Sequence, residues 1–132
     1  MPPVYAAECG SCHVAFPPRL LSADHWRRVM GGLDKHYGDD ASLDAATRAQ
    51  IENFLVANGG GGRRVAGTGD PPRITETAWF TREHDEVPAS AWRDERVKSA
   101  ANCSACHTRA DKGSYREGEI VVPGEGRRRW KD

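Results

Sequence analysis

The sequence predicts an all-α chain with much irregular coil, arranged as two small lobes. Three observations predict it. Apolar residues recur at helical spacing in three segments, and no two segments alternate as a strand pair would. A Gly- and Pro-rich stretch, residues 59–72, separates two halves. The same cysteine–histidine motif stands near each end of the chain.

At 132 residues the chain makes one compact domain or two very small ones. With 38% hydrophobic residues, 14 glycines and 8 prolines, and a mean hydropathy of −0.70, it is poorly equipped for a self-sufficient core. Chains this small often rely on a metal, a disulfide or a prosthetic group. A large apolar cofactor would supply the missing interior.

Lys and Arg total 19, as do Asp and Glu, so no long-range field marks a nucleic-acid binder. The one basic run, Arg127-Arg128-Arg129-Trp130-Lys131, reads as a solvated terminus; a docking patch for an acidic redox partner or a membrane surface is the sharper alternative. No stretch approaches the roughly 20 apolar residues of a transmembrane span. The start, Met1-Pro2-Pro3-Val4-Tyr5, lacks the basic and apolar regions of a signal peptide. If the chain works outside the cytoplasm, a leader is expected to have been removed or replaced.

Taken in order, the first motif should sit in a short turn of helix ended by Pro17-Pro18. Ser22 is a good N-cap, with Asp24 in the first turn, for a helix running to about Tyr37 and stopped by Gly38. At about 100° per residue, Trp26, Val29, Leu33 and His36 share one stripe, with Arg27, Asp34 and Lys35 outside it. A second helix is expected from the Asp44 cap to Asn58-Gly59, with Ile51, Phe54 and Leu55 inward. Residues 59–72 then read as a flexible connection between lobes 1–58 and 73–132. Thr75 should cap a third helix carrying Thr77, Phe80, His84 and Val87, ended by Pro88. A fourth should hold the second motif and stop near Gly113, followed by an extended tail through Tyr115 and Ile120-Val121-Val122.

The four cysteines fall in two pairs, Cys9-Gly-Ser-Cys12-His13 and Cys103-Ser-Ala-Cys106-His107. C-x-x-C-H is the attachment signal for haem c. Thiols three positions apart lie on one face of a helical turn, where they can add to the two vinyl groups of one porphyrin. The adjacent His then reaches the iron as proximal ligand. Competing readings fit less well. Zinc-ribbon knuckles stand roughly 15–20 residues apart; here 90 residues intervene. A thioredoxin-like pair needs a βαβ context, and disulfides leave the trailing His unexplained. The cofactors are therefore expected to be two covalently bound haem c groups, one per lobe.

A second protein ligand would close each iron. The candidates are His25, His36, His84 and Met30. His36 and His84 lie on apolar stripes of their segments, whereas His25 stands at a stripe edge, where solvation is expected, and Met30 toward a rim, where packing is. Spacing agrees: His13 to His36 is 23 positions, and His84 to His107 is also 23. Local pairing, His13 with His36 and His84 with His107, is the simplest arrangement. Crossed pairing would need the lobes to interleave.

The segments Glu8–His13 with Phe16-Pro17-Pro18-Arg19-Leu20-Leu21, Leu33-Asp34-Lys35-His36-Tyr37-Gly38, Ile74-Thr75-Glu76-Thr77-Ala78-Trp79-Phe80 with His84, and Asn102–Thr108 together resemble the small bacterial dihaem cytochromes c, or DHC family. The resemblance covers most of the chain. It implies two bis-His, low-potential haems and an electron-transfer role in the periplasm. The partners it implies are redox proteins, an oxygen-binding monohaem cytochrome c and a membrane cytochrome b. His36 and His84 match the distal positions. The leading expectation is thus an electron shuttle with no catalytic residue. The alternative is a haem enzyme or gas sensor with one five-coordinate haem, peroxidase-like or nitric-oxide-binding.

Overall fold

The structure is a computed structural model that describes residues 2–11 and 13–124. Cys12 and the basic run 127–131 lie outside the described residues. The chain is all-α with much coil: among the described residues only isolated bridges occur, and no strand forms. The helices are α1 (Pro3–Cys9), α2 (Ala23–Gly31), α3 (Ala45–Ala57), α4 (Ala78–Glu83) and α5 (Ala89–Trp92), linked by short 3-10 turns. None of these is long and apolar enough to cross a membrane.

Helix α1 starts on Pro3, where a missing N–H costs nothing. It ends at Cys9, with the Gly10 N–H on the Ala6 carbonyl at 2.9 Å. The first motif therefore begins at the last helical residue, and Pro17-Pro18 lie well beyond the helix they were expected to end. Those prolines serve instead in a segment pinned by its carbonyls. Tyr5 Oη donates to Phe16 O at 2.6 Å, and Trp26 Nε1 to Pro18 O at 2.7 Å.

Helix α2 opens on Ser22 as the sequence suggests, but with a fuller cap. Ser22 Oγ accepts from His25 N, and His25 Nδ1 accepts from Ser22 N, both at 3.1 Å. His25 thus completes a capping box, the position Glu or Gln usually fills. The helix stops six residues earlier than expected, at Gly31, because Gly31-Gly32 is a poor helix continuation. A 3-10 turn over Leu33–Lys35 follows. His36 and Asp39 then exchange backbone hydrogen bonds of 2.7 and 3.0 Å around Tyr37 and Gly38, whose φ values are 51° and 97°. Two successive positive φ angles in a two-residue connection make a hairpin turn of the primed type, so His36 is presented at a tight tip rather than on a helix.

Helix α3 matches its predicted bounds, from the Asp44 cap to Asn58. It packs on α2 and α1, and its Ile51 and Leu55 are buried with Tyr5, Leu21, Trp26, Met30 and Leu33. Each fully buried aliphatic side chain contributes about 2 kcal/mol. Met30 is a core residue, 3% exposed.

The Gly-rich segment is docked, not loose. Gly60 N donates to Leu21 O at 2.8 Å, and a Cβ there would lie 2.1 Å from Arg19 O, so only glycine allows this approach. Val65 and Pro72 are buried. Helix α4 is capped by Thr77 rather than Thr75, and a 3-10 turn over Ile74–Glu76 takes the place of the expected first turn. Helix α5 was not expected. The predicted fourth helix is replaced by 3-10 turns at Cys103–Ala105 and Ala110–Lys112, the latter ended by Gly113 at φ 76°. A small buried cluster, Ala91 and Val122 with Val87, Cys106 and Ile120 packed on it, underlies this half.

Candidate functional site

The four histidines singled out by spacing come together in two pairs. His13 and His36 have ring centroids 6.4 Å apart with planes 25° from parallel; His84 and His107 stand 6.3 Å apart at 80°. The pairing is local in both halves. A metal–imidazole bond is about 2 Å and a ring nitrogen lies about 1 Å from its ring centre, so imidazoles on opposite sides of one metal ion stand about 6 Å apart. Both separations match that spacing.

The rings are held by unlike means. His13 Nδ1 lies 2.7 Å from Val14 O, and His84 Nδ1 lies 2.7 Å from Phe80 O. Donation of Nδ1–H to a carbonyl selects the tautomer whose Nε2 carries a free lone pair, the arrangement found in ligating histidines. His36 and His107 lack such an anchor: their Nδ1 atoms are buried without a partner. A tyrosine lies against each instead, Tyr37 edge-on to His36 at 4.7 Å and Tyr115 beside His107 at 5.0 Å.

Burial lowers the pKa of His36, and the neighbouring His13 lowers it further, against an opposing pull from Asp39. Burial lowers His84 as well, opposed by its bond to Phe80 O and by Glu83; His107 is lowered by burial and by His84, opposed by Glu119. These rings are therefore neutral near pH 7, the form that can bind a metal.

Each motif is fixed from outside. Phe16 stacks on His13 at 4.7 Å, and the Tyr5 and Trp26 bonds hold the chain just beyond it. In the second half, Val121 N donates to Cys106 O at 2.9 Å, Thr108 Oγ1 donates to Glu119 O at 2.9 Å, and His107 bridges to Ile120. The extended tail expected after Gly113 thus lies on the motif itself, interrupted by a 3-10 turn at Glu117–Glu119. His84 sits among Phe80 at 3.9 Å, Trp92 at 6.0 Å and Trp79 at 6.4 Å. Trp92 was missed by the sequence reading, since the four-residue α5 carries no period.

Burial raises Cys9 and Cys106 and pushes Cys103 up to about 11, whereas a thioredoxin-type cysteine is depressed. Among the described residues no group of three or more His, Cys, Asp or Glu converges as a zinc centre would. Two C-x-x-C-H segments, each with its histidine facing a second histidine at metal-ligand distance, define the class: a small helical protein organised around two haem-binding centres.

Comparison with known proteins makes this particular. The family model for dihaem cytochrome c matches residues 5–115. The diheme cytochrome type c from Shewanella baltica OS155 is 42% identical and superposes with a TM-score of 0.83, covering 99% of this chain and 100% of that one. Two structures of the diheme cytochrome c from Rhodobacter sphaeroides are 44% and 45% identical, with TM-scores of 0.75 and 0.77, each covering 87% of this chain and 97% of the other. Comparison with curated proteins finds no match. The chain belongs to the dihaem cytochrome c family. It is an electron-transfer cytochrome with two covalently bound haem c groups.

Proposed function

We propose that this chain is a periplasmic electron shuttle with two low-potential haems, each closed by two histidines. Cys9 and Cys12 would hold the first porphyrin and Cys103 and Cys106 the second. His13 and His36 would ligate the first iron, His84 and His107 the second. The lobes would be residues 1–58 and 73–132, joined by 59–72. The observation that carries this reading is the pair of His–His separations, 6.4 and 6.3 Å.

Bound haem supplies a reversible one-electron couple. The chain's own part is to aim the imidazoles and to set the potential. Met/His ligation raises a haem potential, so paired imidazoles leave both couples lower. With His13 and His36 holding one iron and His84 and His107 the other, no open position would remain for a substrate, which fits a carrier better than an enzyme. The partners that fit are redox proteins, among them an oxygen-binding monohaem cytochrome c and a membrane cytochrome b.

Carbon monoxide added to the reduced protein tests this. The expected result is no prompt binding, with intact mass showing two haems and a redox titration showing low-potential steps. Stoichiometric binding at one haem would overturn the shuttle in favour of a five-coordinate enzyme or sensor.

A further inference from the structure

We infer that Tyr37 is a positioning residue that holds His36 in place from the far side of the Gly-rich segment, an inference that rests on His36 being an iron ligand. Ligating histidines usually donate their second ring nitrogen to a fixed acceptor. His13 and His84 have such acceptors, and His36 does not. Something else must fix its ring.

Tyr37 meets the requirement on four counts. Its ring stands edge-on to His36 at 4.7 Å and 80°. Its hydroxyl donates to Pro72 O, 35 residues along the chain. The Arg73 guanidinium lies 5.0 Å over the same ring, a cation–π contact. Its backbone is at φ 51°, a region disfavoured for a bulky side chain and retained only where surroundings enforce it. An ordinary turn would place Asn or Gly there.

The far end of the tether is itself firm. Pro72 is fully buried, and Arg73 N donates to Thr68 Oγ1 at 2.6 Å. The 3-10 turn over Ile74–Glu76 follows directly and leads into Thr77, the cap of the helix that ends at His84. Tyr37 therefore ties the tip bearing His36 to the start of the segment bearing His84. Tyr115 offers an internal contrast: it lies against His107, but its buried hydroxyl has no partner, so it has no comparable tether.

The test is Tyr37→Phe in the protein carrying both haems, read by carbon monoxide binding after reduction, with Tyr115→Phe and His36→Ala as comparisons. Carbon monoxide can enter only as fast as His36 leaves, so the rate at one haem should rise about fivefold in Tyr37→Phe, the factor corresponding to one lost hydrogen bond. The other haem should stay closed, Tyr115→Phe should match wild type, and His36→Ala should bind at once. A rate in Tyr37→Phe equal to wild type, with His36→Ala open, overturns the role of Tyr37 and leaves the ligation intact. Prompt binding by the wild-type protein overturns the ligation itself and this role with it. Should Tyr37→Phe not mature with two haems, Arg73→Gln replaces it. That variant keeps the hydroxyl bond and loses the cation, so a smaller rise at the same haem supports the tether and no rise overturns it.

Discussion

Replacing Thr77 with Val should destabilise the haem-loaded protein by about 2 kcal/mol. Thr77 is wholly buried, at 0% exposure. Its Oγ1 donates to Ile74 O at 2.8 Å and accepts from Phe80 N at 3.2 Å. Valine keeps the shape and removes both bonds. Ile74 O retains the backbone N–H of residue 77 at 3.1 Å. Losing an N-cap side chain costs about 1 kcal/mol, and losing the separate bond from the hydroxyl to Ile74 O costs about 1 kcal/mol more. A six-residue helix has little stability of its own, and Phe80 O is what holds both the backbone and the ring of His84. The cap therefore stabilises the placement of His84 as well as a helix. Guanidinium unfolding followed by absorbance at the haem band is the assay, with Thr77→Ser as the companion that restores the hydroxyl. The reasoning fails if Thr77→Val lies within about 0.5 kcal/mol of wild type, the range of ordinary surface changes, or if Thr77→Ser is as damaging as Thr77→Val.

Three further outcomes follow from the same geometry. Gly60→Ala should lower stability by about 2 kcal/mol, since a methyl forced against Arg19 O must displace backbone; thermal melting of the variant would register it. Tyr5→Phe should cost about 1 kcal/mol through its lost bond to Phe16 O. Burial also raises the Tyr5 phenol well above the ordinary tyrosine value, so alkaline spectrophotometric titration should lose its latest step in that variant. For His25, burial and then Arg28 lower the pKa below 6.5, with Asp24 opposing. Its folded value is depressed, so the capping contribution is complete above about pH 6.5 and is lost as pH falls through the folded value. His25→Gln, which keeps a capping-box residue, should melt with a flatter dependence between about pH 8 and pH 5 than wild type. An unchanged slope would remove His25 from the cap.

What the sequence reveals depends on how far apart the cooperating residues are. The two C-x-x-C-H motifs are legible at once, because each is complete within five consecutive residues. Helix α3 was legible for the same local reason, with its cap and its apolar stripe within 13 residues. His36 does lie near His13, 6.4 Å between ring centres, but not on the helical stripe the sequence suggests, since α2 ends at Gly31 and the ring is delivered by a turn. The expected helix around the second motif is absent because side chains there bond the backbone in competition with it. Asn102 Nδ2 donates to Val97 O at 2.8 Å, and Ser99 Oγ accepts from Ala101 N at 3.1 Å. The bond from Tyr37 to Pro72 spans 35 positions, and nothing in either local sequence announces it.

The equal spacing of 23 positions hides a difference that spectroscopy can read. An axial imidazole donates π density into the iron d orbital perpendicular to its own plane. Two rings 25° from parallel act on one orbital and split the d pair, whereas two rings at 80° act on one each and leave the pair nearly degenerate. With His13 and His36 on one iron and His84 and His107 on the other, the oxidised protein should show two low-spin resonances of equal intensity. One should be rhombic, from the first centre, and the other strongly anisotropic, from the second. His36→Ala should abolish the rhombic signal and leave the anisotropic one unchanged. Two rhombic signals of the same shape would mean that the ring angles at the second centre differ from 80°, and a high-spin signal in the wild-type protein would mean that one iron lacks its second histidine. The axial ligands are among the levers by which a protein sets haem potential, and here their two pairs are built from different local structures. The motif-first half presents His36 at a turn and the motif-last half presents His84 at the end of a capped helix. Equal loop lengths therefore do not make equivalent histidine pairs, and if both pairs ligate iron the two resonances should be distinct even though the ligand types would be the same.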